Sequence, residues 1–365
     1  MSKVTLFMGA GASKAFGLPL TYEILPLIMK KLGDRTLFNG NIGDCKELEN
    51  FIYRFMPGLK SEAEYPLITD ILSLIDHMIN HYNVPWIFEK QKNLTYYRTF
   101  IERAIFEVLD VPSFKYNNYY VPEALKKFLN YIKSLVEKHT LTIITTNYDI
   151  VFETQLFKWI RNRMKPADDM TVYRCIDFGF SCRSPFCDSI IKQPISPSLS
   201  FYKLHGSMNW LKCELCNHIY INIYGSIYHQ AFRREIDDHN TCDCGNFPLK
   251  CVIVAPSLER NICDTDLLSI WNNSIEALRV SDEWIFIGYS MPQEDLVIKS
   301  MLIRAYNGRF TKPKITVVQK GNEAEKGFAL LFGEYSFFQE GLEVFLDSEF
   351  ASSLFYHNIL NKANT

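Results

Sequence analysis

Apolar residues recur along this chain at two periods, and the alternation between them predicts its elements. Residues 4–8 form a short apolar run that reads as a buried strand. Residues 21–32 then carry apolar positions at helical spacing, with Gly33 as the stop. The same spacing predicts helices over 46–55, 63–82, 96–109 and 122–138. It is clearest over 63–82, where Leu67, Ile68, Ile71, Leu72, Leu74, Ile75, Met78 and Ile79 recur at helical intervals. β-Branched and apolar residues return at 141–146, a predicted central strand, with a helix expected over 150–164. A strand is expected over 172–180 and a loop over 194–200. A further strand starts at 201 and ends in His205-Gly206, and 220–240 reads as loop. Strands at 251–256, 284–290 and 314–318 then alternate with helices at 264–280 and 293–306, and 324–365 is mixed.

Strands that alternate with helices imply a parallel sheet. More than a hundred residues separate the first strand from the second, far more than an ordinary connection. That block reads as a helical module inserted into an α/β fold. The composition supports a large core, since 47% of the 365 residues are apolar and there are 27 Phe and 20 Tyr. A formal net charge of −2 gives no basic excess, so direct nucleic-acid binding is not expected. No stretch reaches the roughly 20 apolar residues of a membrane span. Met1-Ser2-Lys3 runs straight into the first strand without a leader pattern, so the expected location is cytoplasmic.

Candidate chemistry falls at strand ends. The first strand runs into Gly9-Ala10-Gly11-Ala12-Ser13, followed by Gly17-Leu18-Pro19. A strand, a glycine-rich turn and a helix start can present backbone N–H groups to an anion, although a ligand-free tight turn needs the same residues. Asn147 and Asp149 follow the strand at 141–146, where ligands of open α/β sheets collect. A helix N-cap would use the same residue types. An imidazole at a strand end, as at His205, suits a general base near neutral pH, although a lone histidine is more often structural. Cys213-x-x-Cys216 and Cys242-x-Cys244 have the close spacing of a tetrahedral structural Zn²⁺ site. His218, His229, His239 or Cys251 could replace one of these four ligands, and Cys182 and Cys187 read as ordinary thiols.

The glycine turn, Thr145-Thr146-Asn147-Tyr148-Asp149, Leu204-His205-Gly206, the paired cysteines and Gly288-Tyr289-Ser290 together resemble the sirtuin (silent-information-regulator) family. These motifs run in the family's order over most of the chain. The resemblance departs from the protein deacylases, because Leu20-Thr21-Tyr22 stands where they carry Asp-Phe-Arg. With Gly206-Ser207-Met208-Asn209-Trp210, Met291-Pro292-Gln293-Glu294-Asp295 and the helical insertion, it is closest to bacterial sirtuin-like NADases of anti-phage defence systems.

The resemblance implies an α/β fold: a Rossmann-like parallel sheet with a large inserted helical module and a small zinc-ribbon-like insertion. The implied organisation is a Rossmann-like NAD-binding domain at 1–33, continued at 140–210 and 251–320. The helical module occupies 34–139, the zinc-ribbon-like module 211–250 and a C-terminal segment 321–365. The implied activity is NAD⁺ hydrolysis at the nicotinamide–ribose bond, with Asn147 and His205 catalytic. Gly9, Ala10, Gly11, Ala12, Ser13, Asp149, Gly288, Tyr289 and Ser290 would bind the cofactor. Asn147 would position water or ribose, Asp149 would support the ribose or nicotinamide side or hold the loop, and His205 would act as general base toward the ribose hydroxyl or the attacking water. Zn²⁺ would be structural. NAD⁺ as substrate, a homo-oligomer and a HerA-like ATPase or other defence-system sensor are the implied partners. The competing readings are an NAD-dependent protein deacylase and a non-catalytic NAD- or ADP-ribose-binding module. A nuclease finds no carboxylate cluster to hold its metal.

Overall fold

A computed structural model of the chain describes residues 2–59, 65–81, 93–110, 121–163, 169–185, 187–194, 197, 199–233, 240–245, 247–253, 265–292, 295–348 and 351. Strand β1 (Lys3–Met8) leads into the short helix α1 (Ala10–Ala15). Four helices follow: α2 (Thr21–Gly33), α3 (Ile42–Phe55), α4 (Ile68–His81) and α5 (Leu94–Leu109). Then come α6 (Glu123–Lys138), β2 (Thr140–Thr145), α7 (Val151–Arg163), α8 (Asp169–Cys175) and β3 (Ile176–Asp177). Strands β4 (Cys182–Ser184), β5 (Cys187–Ile191), β6 (Leu199–Lys203), β7 (Gly206–Cys213), β8 (Ile219–Ile221), β9 (Thr241–Cys242) and β10 (Phe247–Ile253) follow. The chain closes with α9 (Thr265–Val280), β11 (Glu283–Ile287), α10 (Leu296–Asn307), β12 (Lys314–Val318), α11 (Glu325–Leu331), β13 (Ser336–Phe338) and α12 (Leu342–Asp347). Among the described residues no helix is long and apolar enough to cross a membrane.

The main sheet has seven strands in the order β13-β12-β11-β1-β2-β6-β3, all parallel. β1 is buried along Val4–Met8 because it lies between β2 and β11, and helix residues such as Phe128, Leu278 and Phe328 pack into the same core. The chain builds outward from β1 on one side through β2 and β6, then returns to build the other side through β11, β12 and β13. The order therefore reverses beside β1, which opens a crevice at the carboxyl ends of the strands. A second sheet, β5-β4-β8-β7-β10-β9, stands beside it. It reaches back to Cys182, so the expected insertion over 211–250 takes strands from outside that range.

Packing divides the chain into two large cores. One surrounds the main sheet and includes Leu125, Phe128, Ile132 and Leu135 of α6. The other runs from Ile24 to Leu109 and takes in Ile150, Met208 and Tyr228. Helix α2 thus packs with the helical core and α6 with the sheet, whereas the resemblance implies boundaries at 33/34 and 139/140. The apolar stripe of α2 explains its side: Ile24, Leu25, Ile28, Met29 and Leu32 are all buried.

Three expectations are corrected. Residues 172–180 are not a strand: α8 runs to Cys175, and only Ile176–Asp177 pair with β6. Val172 and Tyr173 are buried there, and the Tyr173 hydroxyl donates to Ile221 O at 2.6 Å. Tertiary contacts override the strand preference of these residues. The loop over 194–200 already contains the start of β6 at Leu199. The loop over 220–240 contains part of β8 and a short 3₁₀ turn at Tyr228–Phe232. Residues 254–256 of the strand expected at 251–256, and His239, lie outside the described residues.

Candidate active site at the carboxyl ends of the parallel strands

β1, β2, β6 and β11 end at Met8, Thr145, Lys203 and Ile287 on one edge of the sheet. Gly9, Asn147, His205 and Gly288 follow within two residues of those ends. A cleft opens there. Its polar wall carries Ala10, Ser13, Asn147, Asp149 and His205. Its apolar wall carries Ile24, Ile68, Ile105 and Leu109 from the helical core.

The polar wall is internally fixed. Asn147 Nδ2 donates to Gly9 O and to Ser13 Oγ, each at 2.9 Å. Ser13 Oγ donates to Asp149 Oδ2 at 2.7 Å, and Asp149 Oδ1 accepts from Val151 N at 3.1 Å. Both amide hydrogens of Asn147 are thus committed, so the group it can offer a ligand is the acceptor Oδ1. Both Asp149 oxygens hold protein groups.

His205 is 4% exposed and sits between Tyr148 and Trp271, with ring centroids 6.0 and 6.3 Å away. Its Nδ1 donates to Thr146 O at 3.2 Å. That carbonyl partner sets the tautomer with the lone pair on Nε2, the form a general base requires. Trp271 is anchored in turn, since its Nε1 donates to Leu204 O at 3.1 Å. Directly after the histidine, Gly206 has φ +80°.

The glycines around β1 serve a different purpose from the one expected. Gly9 N donates to Ile287 O at 3.0 Å, and Gly11 N donates to Gly288 O at 2.8 Å. Ala12 N donates to Gly9 O at 3.0 Å. These N–H groups join two backbone turns rather than facing a phosphate. A Cβ at Gly288 (φ +62°) would lie 2.1 Å from Ala12 N, so no other residue permits the crossing. Helix α1 has only six residues and contributes little dipole. Of the expected cofactor-binding set, Ala10, Ser13 and Asp149 line the cleft, while Gly9, Gly11, Ala12, Gly288, Tyr289 and Ser290 are not on its wall.

The Tyr289 ring lies 4.9 Å from that of Phe7, and its hydroxyl donates to Asp295 Oδ2 at 3.1 Å. Asp295, 5% exposed, is on the cleft wall. Sequence reasoning missed it, along with the helical wall. The signal for Asp295 was its position soon after a strand end. For the wall there was none, because its residues look like ordinary core positions.

A buried ion pair stands behind the polar wall. Lys203 Nζ lies 2.5 Å from Glu153 Oε2, and the two side chains are 1% and 3% exposed. Burial pushes the Glu153 carboxyl up to about 7, against the opposing pull of Lys203 and a hydrogen bond from Asn209. Lys203 was legible as an oddity, a charge in the otherwise apolar end of β6.

The paired cysteines meet as expected. The sulfur atoms of Cys213, Cys216, Cys242 and Cys244 all lie within 4.8 Å of one another. Cys213 Sγ and Cys244 Sγ are 3.6 Å apart, and Cys216 Sγ and Cys242 Sγ 3.5 Å. Four sulfurs about 2.3 Å from one ion stand roughly 3.8 Å apart, so the set fits a tetrahedral Zn²⁺. Cys251 is elsewhere, its Sγ 3.7 Å from Tyr228 O. Among the described residues no histidine joins the four thiols.

No family model matches the chain, and no curated protein matches it. Among solved structures, the chain is similar to a Sir2 complex with a p53 peptide and NAD⁺, at 15% identity and a TM-score of 0.41, over 98% of this chain and 94% of that one. It is also similar to Sir2Tm bound to a propionylated peptide, at 15% identity and a TM-score of 0.42, over 98% and 93%. A third, from work on the structural basis of sirtuin substrate affinity, has 15% identity and a TM-score of 0.44, over 96% and 92%. The chemistry of the cleft follows from its own residues.

Proposed function

We propose that the chain is a sirtuin-like NAD⁺ hydrolase. The observation that carries this reading is the placing of the Asn147 amide and the His205 imidazole on one wall of a cleft closed opposite by apolar side chains. The nicotinamide–ribose bond breaks with its electron pair going to the nicotinamide ring, which loses its positive charge. The oxygen of a water bonds to the ribose carbon, and His205 takes the proton that this water sheds. Asn147 Oδ1 accepts a hydrogen bond from the same water and aims it. The helical wall excludes other water from the cationic sugar. The Ala10 main chain, on the cleft wall beside Ser13, approaches the pyrophosphate.

The test is NAD⁺ consumption by the purified chain without any peptide, wild type beside Asn147→Ala. Nicotinamide and ADP-ribose should appear together, and the variant should turn over about 10²-fold more slowly. Nicotinamide release that depends on an acetylated peptide would instead establish a deacylase.

Zn²⁺ supplies a structural crosslink when bound, held by Cys213, Cys216, Cys242 and Cys244 with no coordination position left for substrate. Purified protein is expected to carry about one Zn²⁺ per chain, and the double variant Cys213→Ser/Cys242→Ser less than about a tenth of that. Full metal content in the double variant would place the ion elsewhere.

Unrestrained loss of NAD⁺ would harm the host cell. The chain therefore acts in the cytoplasm as a defence effector held inactive until triggered, as a homo-oligomer or with a HerA-like ATPase or another sensor. The motif forms quoted from the sequence support this part of the reading.

A further inference from the structure

β6 is buried and apolar towards its end except for Lys203. An ammonium and a carboxylate withdrawn from water cost free energy that their attraction often does not return, and apolar side chains of similar volume fill such a space at least as well. Stability therefore does not account for the Lys203–Glu153 pair, but its location does. Lys203 Nζ also donates to the main-chain carbonyl of Asp149 at 2.7 Å. Lys203 stands two residues before His205. Asp149 closes the segment that begins at Asn147, and Glu153 lies in the first turn of α7, which starts directly after that segment. One ammonium thus joins the strand that leads to His205 to the turn that carries Asn147.

We propose that Lys203 is a positioning residue: by clamping the Asp149 carbonyl it fixes the spacing between Asn147 and His205, and Glu153 aims the clamp. It touches no reacting atom. Its effect on turnover rests on the NAD⁺-cleavage reading, whereas its effect on the Asn147–Asp149 turn does not. The backbone already ties the two strands through Leu204 N and Thr145 O at 2.9 Å. Beyond Thr145 the turn is also held by Met208 N on Tyr148 O at 3.1 Å and by His205 Nδ1 on Thr146 O at 3.2 Å, and Lys203 adds the tie at its far end, Asp149.

The test uses the full chain with both charges replaced, Lys203→Met/Glu153→Leu, and the milder Glu153→Gln, which leaves the ammonium an acceptor. Hydrogen exchange is followed at the amides of residues 147–151, where Val151 N reports its bond to Asp149. The double variant should melt within a few degrees of wild type, yet exchange at these amides at least about 10-fold faster, with β1 and β11 unchanged. Its kcat should fall about 100-fold, with KM within about 3-fold of wild type. Glu153→Gln should fall between the two proteins in both measurements. Unchanged exchange at 147–151 in a folded variant overturns the clamp. If the double variant does not fold, Glu153→Gln decides alone, with unchanged exchange again overturning it. A wild-type chain that leaves NAD⁺ intact sinks the hydrolase reading, while the exchange data still test the clamp.

Discussion

His205→Ala is expected to lower kcat for NAD⁺ cleavage by about 10²- to 10⁴-fold, the usual loss when a positioned general base is removed. The imidazole is held on three sides, by Thr146 O, Tyr148 and Trp271. The first contact selects the tautomer and the two rings fix the plane, so the basic nitrogen is ready before substrate arrives. Steady-state assays with nicotinamide as the measured product check this. Thermal melting runs alongside, because removing a buried ring also leaves a cavity, at a cost of about 2–5 kcal/mol. His205→Gln separates the two effects: it fills most of the space but does not take up a proton near neutral pH. Wild-type turnover in either variant would remove His205 from the chemistry.

The second large effect concerns the residue beside it. Gly206→Ala is expected to cost about 3–5 kcal/mol, combining left-handed backbone strain with overpacking. The added Cβ would lie 1.8 Å from Val252 O, at a φ of +80°. Backbone occupies that space, so a side-chain rotation cannot relieve the overlap. β7 would have to part from β10, and His205 would move with it. Gly33→Ala is the control. It has nothing within 4 Å of the new Cβ and ends helix α2, so it should be neutral or stabilise by about 0.4–1 kcal/mol. Urea unfolding followed by tryptophan fluorescence reads both. Equal midpoints for the two variants would mean that the turn after His205 relaxes freely.

Features set by local chemistry were readable in the sequence. The predicted strand at 314–318 matches β12 at both ends, and the helix predicted over 96–109 begins two residues earlier, at Leu94. The four cysteines were legible because thiols at such spacing have few other uses. The convergence of Asn147 and His205 followed from placing both at the ends of parallel strands. What escaped depends on contacts distant in sequence. Ile68 and Ile105 carry the same apolar signal whether they face a core or a cleft. Gly11 reads as a phosphate-approach glycine until Gly288 O is found on its N–H. Tyr173 has a strand former's side chain, and only its bond to Ile221 O shows why the segment coils as α8.

β7 begins at Gly206, next to the imidazole, and ends at Cys213, one of the four thiols. Its eight residues make a rod about 27 Å long. The rod has the four-thiol cluster at one end and, on the proposed reading, the general base at the other. With Zn²⁺ bound there, metal supply and the proposed catalytic competence would become a single variable. A preparation stripped by a chelator should behave like a His205 lesion although no atom of the cleft has been altered. A cell short of zinc would hold chains of normal sequence that are unable to fire.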